Sequence, residues 1–397
     1  MRVDIAAQAA HSVRRGHPWV FRAAIAKPPR DLASGSVVEI AAGGEILGAG
    51  LWDATSPIAV RIHERADAKR GGRVARVDEG SFGKRIGAAL KRRDALFGAK
   101  GDGATTAFRL VHGEGDRVPG LVVDRYGHVA IVRTDGDAIA DWLDRLVPQL
   151  AKMLRERGIT SIGVRVANAS TEAKVEDAWG EPVPDRLEVL EHGMKMEVDL
   201  LRGQKTGAFL DQRENRRRVR EAAQGRRVLN LFSYAGGFSI AAALGGATRV
   251  TSVDVAAGAH ATAQRSFRAN AIDPAKHAFA TADAFDWLEK AAAKGEQFDL
   301  VISDPPSFAP SEKAVPRAIA AYQKLHKLCA AVLAPGGRFA AASCSSHVGM
   351  DAFLGTLDDG VLGRSDLVVQ ETFGPPADHP TLAVFPEGRY LKLVMMG

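Results

Sequence analysis

Four short stretches hold the residues whose types and spacing can do chemistry. Asp304-Pro-Pro-Ser-Phe308 follows an apolar run, Phe298 to Ser303, that reads as a buried strand. Two prolines forbid the strand from continuing, so they hold Asp304 rigidly at the strand's end. Asp304 can then hydrogen-bond a base edge, and Phe308 can stack on an extruded base. Ser343-Cys344-Ser345 closes a second small-residue strand beginning near Arg338. It places Cys344 at the same sheet edge, where a thiol can act as a nucleophile. The alternative is a structural thiol, as expected for Cys329, which shares one helical face with Tyr322, Leu325 and Val332.

The third stretch is the strand and loop Arg227 to Ile240, with Phe232, Ser233, Tyr234, Gly236, Gly237 and Phe238 at the turn. A second apolar run, Arg249 to Asp254, ends in a carboxylate, and Ala278 to Asp283 ends in another, followed by Ala284. In a doubly wound sheet, backbone N–H groups and a ribose-binding acid meet at the strand ends in this way. The loop lacks G-x-G-x-x-G, so the cradle for a dinucleotide pyrophosphate is incomplete. S-adenosylmethionine needs only close backbone approach and an acid for the ribose hydroxyls. Asp254 is the expected ribose acid. Asp283 is expected either near an adenine amino group or as the cap of the helix that follows. The glycines alone would also fit a tight strand-to-helix turn.

The fourth stretch is Lys205-Thr-Gly-Ala-Phe-Leu-Asp-Gln-Arg213, immediately upstream. Its density of donors and acceptors makes Lys205, Gln212 and Arg213 candidates for cofactor or substrate contact. A plain linker leading into a polar helix is the other reading.

The elements that must position these groups divide the chain into three. Residues 1–72 read as a small β domain, with strands near 36–40, 46–50 and 58–62 separated by turn residues. The motif Gly16-His-Pro-Trp-Val-Phe21 precedes them. Trp19 and Phe21 belong either to the core of that barrel or, with Arg15, to an RNA-contacting edge. Residues 73–200 alternate strands with helices at 82–96 and 141–157 and form an α+β middle domain. Residues 201–397 form the α/β domain, in which 334–337 is a turn. The 397 residues carry 53 Lys+Arg against 47 Asp+Glu, a net charge of +6. Basic clusters at 84–85, 91–93 and 213–220 fit a polyanionic partner, although solvated helix faces look the same. Two cysteines build no disulfide framework or zinc site, no run spans a membrane, and no signal peptide is visible, so a reducing cytoplasm is expected.

The ordered set resembles the bacterial large-subunit ribosomal RNA cytosine-5 methyltransferases. The resemblance rests on residues 16–21, 119–126, 205–213, 236–237, 304–308 and 343–348 and spans nearly the whole chain. It implies a PUA domain, a middle α+β domain and a class I Rossmann-like methyltransferase domain. It also implies S-adenosylmethionine as cofactor, ribosomal RNA or an assembly particle as partner, and no metal. By that resemblance Cys344 adds to cytosine C6, Asp304 holds the base edge and borders the cofactor, and Phe308 stacks on the base. Phe232 to Phe238, Asp254, Asp283, Ala284, Gln212 and Arg213 would hold the cofactor; Lys205, Arg15 and Trp19 would hold RNA. Many relatives carry a second cysteine after the prolines. Ser307 stands there instead, which leaves the C5 proton to His347, Asp304 or water. The rival expectations are methylation of another base or exocyclic amine, and a non-catalytic assembly factor. The sequence leaves the target nucleotide and a monomer or homodimer open.

Overall fold

The computed structural model describes residues 1–67, 72–98, 103–166 and 174–397. They form two compact units. One comprises Met1–Leu187, Asp199–Ala208 and Ala377–Gly388, and the other Glu188–Val198, Phe209–Pro376 and Arg389–Gly397. Residues 201–208 and 377–388, placed by the sequence reading in the C-terminal domain, thus pack in the first unit.

The first unit opens with β1 (Arg2–Asp4), α1 (Ala7–Arg15), β2 (Trp19–Phe21), β3 (Val37–Ala42), β4 (Glu45–Trp52), β5 (Ile58–Asp67) and β6 (Arg73–Val74). Their sheet runs β1-β3-β4-β5-β2, with β6 on β5. The sequence reading has no helix here. Only Ala10 and Val13 of α1 are buried, too few apolar positions to signal a helix. Chain alternation settles the aromatic motif: Val20 points into the core, whereas Trp19 is half-buried and Phe21 is 44% exposed. Neither aromatic is a fully buried core residue.

The same unit continues with α2 (Glu79–Phe97), β7 (Ala107–His112), β8 (Leu121–Tyr126), β9 (Val129–Thr134), α3 (Asp137–Ala140), α4 (Leu143–Arg155), β10 (Ser161–Val166) and β11 (Lys174–Gly180). The sheet order is β11-β10-β9-β8-β7. Phe82, Ile86 and Leu90 of α2 and Leu146, Leu150 and Leu154 of α4 pack in one core with Val123, Val132 and Ile162. Asp78 and Ser81 cap α2 reciprocally. The helix expected from 141 starts at Leu143, after a separate turn of helix. β11, an edge strand with no fully buried residue, gave no apolar alternation to read.

Most of the hairpin β12 (Arg186–Glu191) and β13 (Met194–Asp199) packs in the second unit. Its turn, His192-Gly193, takes positive φ at both residues, as two-residue hairpins favour. The unit then alternates α5 (Arg213–Ala222), β14 (Arg227–Leu231), α6 (Gly237–Leu244), β15 (Arg249–Asp254), α7 (Ala257–Ala269), β16 (Ala278–Thr281), α8 (Ala284–Ala293), β17 (Phe298–Ser303), α9 (Val315–Ala331) and β18 (Leu333–Ser343). α10 (Met350–Leu354), α11 (Asp359–Leu362), β19 (Val369–Phe373) and β20 (Lys392–Met396) complete it.

Its seven strands run β16-β15-β14-β17-β18-β20-β19. The first five are parallel; β20 is antiparallel to β18 and β19 to β20. Alternate residues feed two cores. Leu229, Leu231, Val301 and Phe339 pack in one, and Val228, Leu300, Ile302 and Ala340 in the other. Burial on both faces is why these strands are mostly apolar. Residues 334–337 are a bulge within β18 rather than a turn before it, because the register jumps between Leu333 and Arg338 against β17. β14 and β17 are sequence-distant neighbours where strand order reverses, and ligands bind outside the carboxyl ends of strands at such a point.

Candidate active site

The loop leaving β14 is held in a costly conformation. Phe232, Tyr234 and Gly236 all have positive φ (55°, 45° and 77°), a region that costs a residue with a Cβ about 1–2 kcal/mol. Hydrogen bonds keep it there: Ser233 N–H donates to Val253 O (3.0 Å), Gly236 N–H to Ser233 O (2.8 Å), and Tyr234 N–H to Asp254 Oδ2 (2.8 Å). A Cβ on Gly236 would lie 2.7 Å from the Ala263 Cβ, and one on Gly237 2.9 Å from the Arg216 Cδ. Close approach therefore favours glycine at both positions, and the left-handed turn requires it at Gly236 as well. Beneath the loop, Asn230 Nδ2 donates to Ser239 Oγ, which pairs with Ser252 Oγ at 2.7 Å. Buried Phe238 anchors the start of α6.

Asp254 closes this edge. Its second oxygen accepts from Ala256 N–H at 2.8 Å, so the carboxylate is oriented from both sides and keeps lone pairs for a diol. Val255, next in sequence, is 69% exposed and gives the edge an apolar wall. Ser233 is buried and its Oγ has no hydrogen-bond partner among the described residues. An orphaned buried hydroxyl, backbone approach through glycine and an oriented acid suit the aminoacyl and ribose ends of S-adenosylmethionine. Asp283 does cap α8, accepting from Phe285 N–H (2.8 Å) and Asp286 N–H (3.2 Å), and Ala284 is buried behind it.

Across the switch point lies the second cluster. Gln212 Nε2 donates to Asp304 Oδ1 at 2.9 Å, and Asn215 Nδ2 donates to Gln212 Oε1 at 2.6 Å, which fixes the amide. Arg213 is 2% exposed and bonds Glu214 Oε1 through Nε. Asp211 Oδ2 accepts from Tyr390 Oη at 2.7 Å. Cys344 is the first residue beyond β18, half-buried, with Sγ 3.9 Å from Pro305 O. Because β17 and β18 are paired neighbours, Asp304 and Cys344 leave adjacent strand ends. Tyr322 Oη donates to Ser343 Oγ at 2.9 Å, and burial pushes this phenol up to about 12. Half-buried Phe308 packs 4.9 Å from the Tyr322 ring and 6.5 Å from Phe285. Cys329 is fully buried, and burial raises its thiol well above the ordinary range. Ser307 and His347 are exposed.

Comparison with known proteins decides the family. The profile of the S-adenosylmethionine-dependent methyltransferases matches residues 164–382, and that of the PUA-like domain matches residues 3–65. A protein named ribosomal RNA large subunit methyltransferase from Deinococcus radiodurans is 37% identical over 406 residues, covering 100% of this chain and 97% of its own. Ribosomal RNA large subunit methyltransferase I from Erwinia tasmaniensis is 33% identical, with coverage of 99% and 98%. The chain belongs to this S-adenosylmethionine-dependent methyltransferase family. A solved S-adenosylmethionine-dependent methyltransferase from Streptococcus mutans has the same fold, at a TM-score of 0.86 and 24% identity over 100% of this chain and 99% of that one.

In this methyltransferase the expected cofactor and catalytic residues all lie in the second unit. Arg15, Trp19 and Lys205 lie in the first. Arg15 is exposed in the last turn of α1. Trp19 Nε1 donates to Glu114 Oε1 at 2.7 Å, and its ring meets Phe385 edge-on at 4.7 Å. Lys205 is half-buried with φ of 54°. Its neighbour Thr206 anchors the loop by donating to Asp124 Oδ2 at 2.6 Å and bonding the Tyr126 hydroxyl at 2.9 Å. Sequence reasoning passed over Asn215, Val255 and Lys392. Lys392 had a signal: it is a lone charge in the buried strand Lys-Leu-Val-Met-Met.

Proposed function

We propose that this methyltransferase forms 5-methylcytosine in large-subunit ribosomal RNA through a covalent bond between Cys344 and C6 of the target base. The observation that carries the proposal is the pairing of Cys344 with Asp304-Pro305 at the carboxyl ends of β18 and β17. The substrate follows from the names of the full-length relatives.

Cytosine C5 is a weak nucleophile. Addition of the Cys344 thiolate to C6 breaks the C5–C6 π bond and makes C5 enamine-like. Asp304, steadied by Gln212, holds the N3/N4 edge and stabilises that electron flow. Bound S-adenosylmethionine supplies an electrophilic sulfonium methyl group to C5. Loss of the C5 proton to solvent and departure of the Cys344 thiolate restore the C5–C6 double bond. Ser307 carries no thiol to assist release. Phe308 stacks on the base. The first unit holds flanking RNA through Arg15, Trp19 and the Lys205 loop, and the second unit carries the chemistry. The site of action is the cytoplasm.

Cys344→Ala is expected to abolish turnover while leaving cofactor affinity within about twofold, because the thiol serves only the base. Nucleoside mass spectrometry of RNA incubated with labelled cofactor reads the first effect and calorimetry the second. Labelled 5-methylcytidine made by the variant would overturn the nucleophile. Label in another nucleoside from the unaltered enzyme would move the reaction to a different base.

A further inference from the structure

Next to Cys344 lies a buried ionisable group that the mechanism so far leaves without work. Lys392 opens β20 and is 3% exposed. Its Nζ donates to Ser345 O and to Tyr390 O, both at 2.8 Å. An ammonium group has three donors, so one is left beyond these two carbonyls. In the β18–β20 ladder Lys392 stands opposite Ser343, the residue before Cys344, and one of its two carbonyl partners belongs to the residue after it. Lys392 is therefore tied to the residues on either side of the cysteine, by strand pairing to Ser343 and by its amine to Ser345.

The charges around Cys344 explain why a cation matters there. Asp304 approaches from the end of β17, and Tyr322 reaches in from α9, its hydroxyl within electrostatic range of both Asp304 and Cys344. Lys392 comes from β20 and is within electrostatic range of Cys344. A carboxylate beside a thiol disfavours the thiolate, and a neighbouring phenol stays neutral. Among the described groups just named, Lys392 supplies the positive charge.

We propose that Lys392 activates Cys344, its amine accepting the thiol proton and, as a fixed ammonium, holding the thiolate ready for attack. The inference rests on the reading of Cys344 as nucleophile. The S–H bond breaks, its electron pair stays on sulfur, and the proton forms a third N–H bond on Nζ. When the product leaves, the thiolate returns to the same ammonium, so the pair is unchanged over a cycle. Lys392 acts through Cys344 and is a positioning residue. Its proton affinity suits the exchange: burial draws the amine down to about 8, while Cys344 pushes back upward, close to an ordinary thiol at about 8.5.

The test is alkylation of the full chain by iodoacetamide across pH, with Cys344 and Cys329 peptides followed separately by mass spectrometry. Fully buried Cys329 is the internal control. The unaltered protein is expected to alkylate at Cys344 with a midpoint at least about one unit below 8.5. Lys392→Met should raise the midpoint by about a unit, slowing the reaction near pH 7 about tenfold, and Lys392→Arg should restore it. Thermal melting and S-adenosylhomocysteine calorimetry verify that each variant is folded. A midpoint at or above about 8.5 in the unaltered protein overturns the proposal whatever the variants do. A folded Lys392→Met protein with an unaltered midpoint overturns it equally. The readout needs neither RNA nor methyl transfer, which separates it from the nucleophile assignment. An inactive Cys344→Ala enzyme beside equal midpoints removes Lys392 alone. A depressed midpoint beside an active Cys344→Ala enzyme removes the nucleophile and leaves the ion pair.

Discussion

Asp254 does two jobs with one carboxylate. It locks the loop after β14 through Tyr234 N–H and Ala256 N–H, and it presents its remaining lone pairs at the carboxyl edge. Asp254→Ala is expected to weaken S-adenosylmethionine binding by about 1–3 kcal/mol, roughly fivefold to 150-fold, from loss of charge-assisted hydrogen bonds. Calorimetry with the folded variant measures it; an unchanged dissociation constant would show that this acid does not touch the ribose. The loop's own geometry belongs to the same scale. With Phe232 and Tyr234 held at positive φ, the strain sits beside Asp254 at the carboxyl edge of the sheet, the kind of place where backbone strain tends to concentrate.

At the scale of elements, short polar segments are fixed by buried partners rather than by their own propensity. Gln212 and Asn215, on either side of the start of α5, tie that helix to Asp304 at the end of β17. Arg216 forms a bidentate pair with Glu191 of β12. In the first unit, Thr206 clasps the Lys205 loop to β8 through Asp124 and Tyr126, while Arg109 of β7 forks onto the same carboxylate at 2.8 and 2.9 Å. Burial alone would raise the Asp124 pKa; the Arg109 guanidinium and the Thr206 hydroxyl more than offset it, and the carboxyl lies below its ordinary value. Thr206→Val removes both hydroxyl bonds from a buried site and should cost about 1–3 kcal/mol. A urea midpoint equal to that of the unaltered protein would mean that the clasp contributes nothing.

For the whole molecule, pH is the informative variable, because each unit buries an uncharged histidine. His63 in the first unit is driven down to about 3 by burial, with Arg85 and Arg61 adding to the effect. His326 in the second is driven down to about 4 by burial, against a hydrogen bond to Thr356 O. Unfolded, both rings take a proton below about pH 6.5, whereas folded they stay neutral. Their contribution is therefore complete above about 6.5 and falls as pH drops towards the folded values. Each ring should steepen the loss of unfolding free energy by about 1.4 kcal/mol per pH unit in that window. Urea unfolding at about pH 7.5, 6 and 5 measures the slope, and a flat profile would show that the rings are protonated when folded.

Sequence alone determined whatever depends on local pattern and on residue types that tolerate few substitutes. The apolar runs of β14, β15 and β17 are legible because burial on both faces leaves few polar positions. The loop glycines, the acid at 254, the double proline after Asp304 and the cysteine after a small-residue strand all mark strand ends where one residue type fits. Tertiary structure decided what depends on partners distant in the chain. The nine residues of α1 and the edge strand β11 carry too little apolar periodicity to be read, and form because the rest of their unit pairs with them. The inward turn of Val20 rather than Trp19 or Phe21 is set by pairing with β5. The packing of 199–208 with the first unit depends on Asp124 and Tyr126, some eighty residues earlier. Lys392 beside Cys344 depends on β20 inserting antiparallel between β18 and β19, a choice of neighbour that no local pattern encodes.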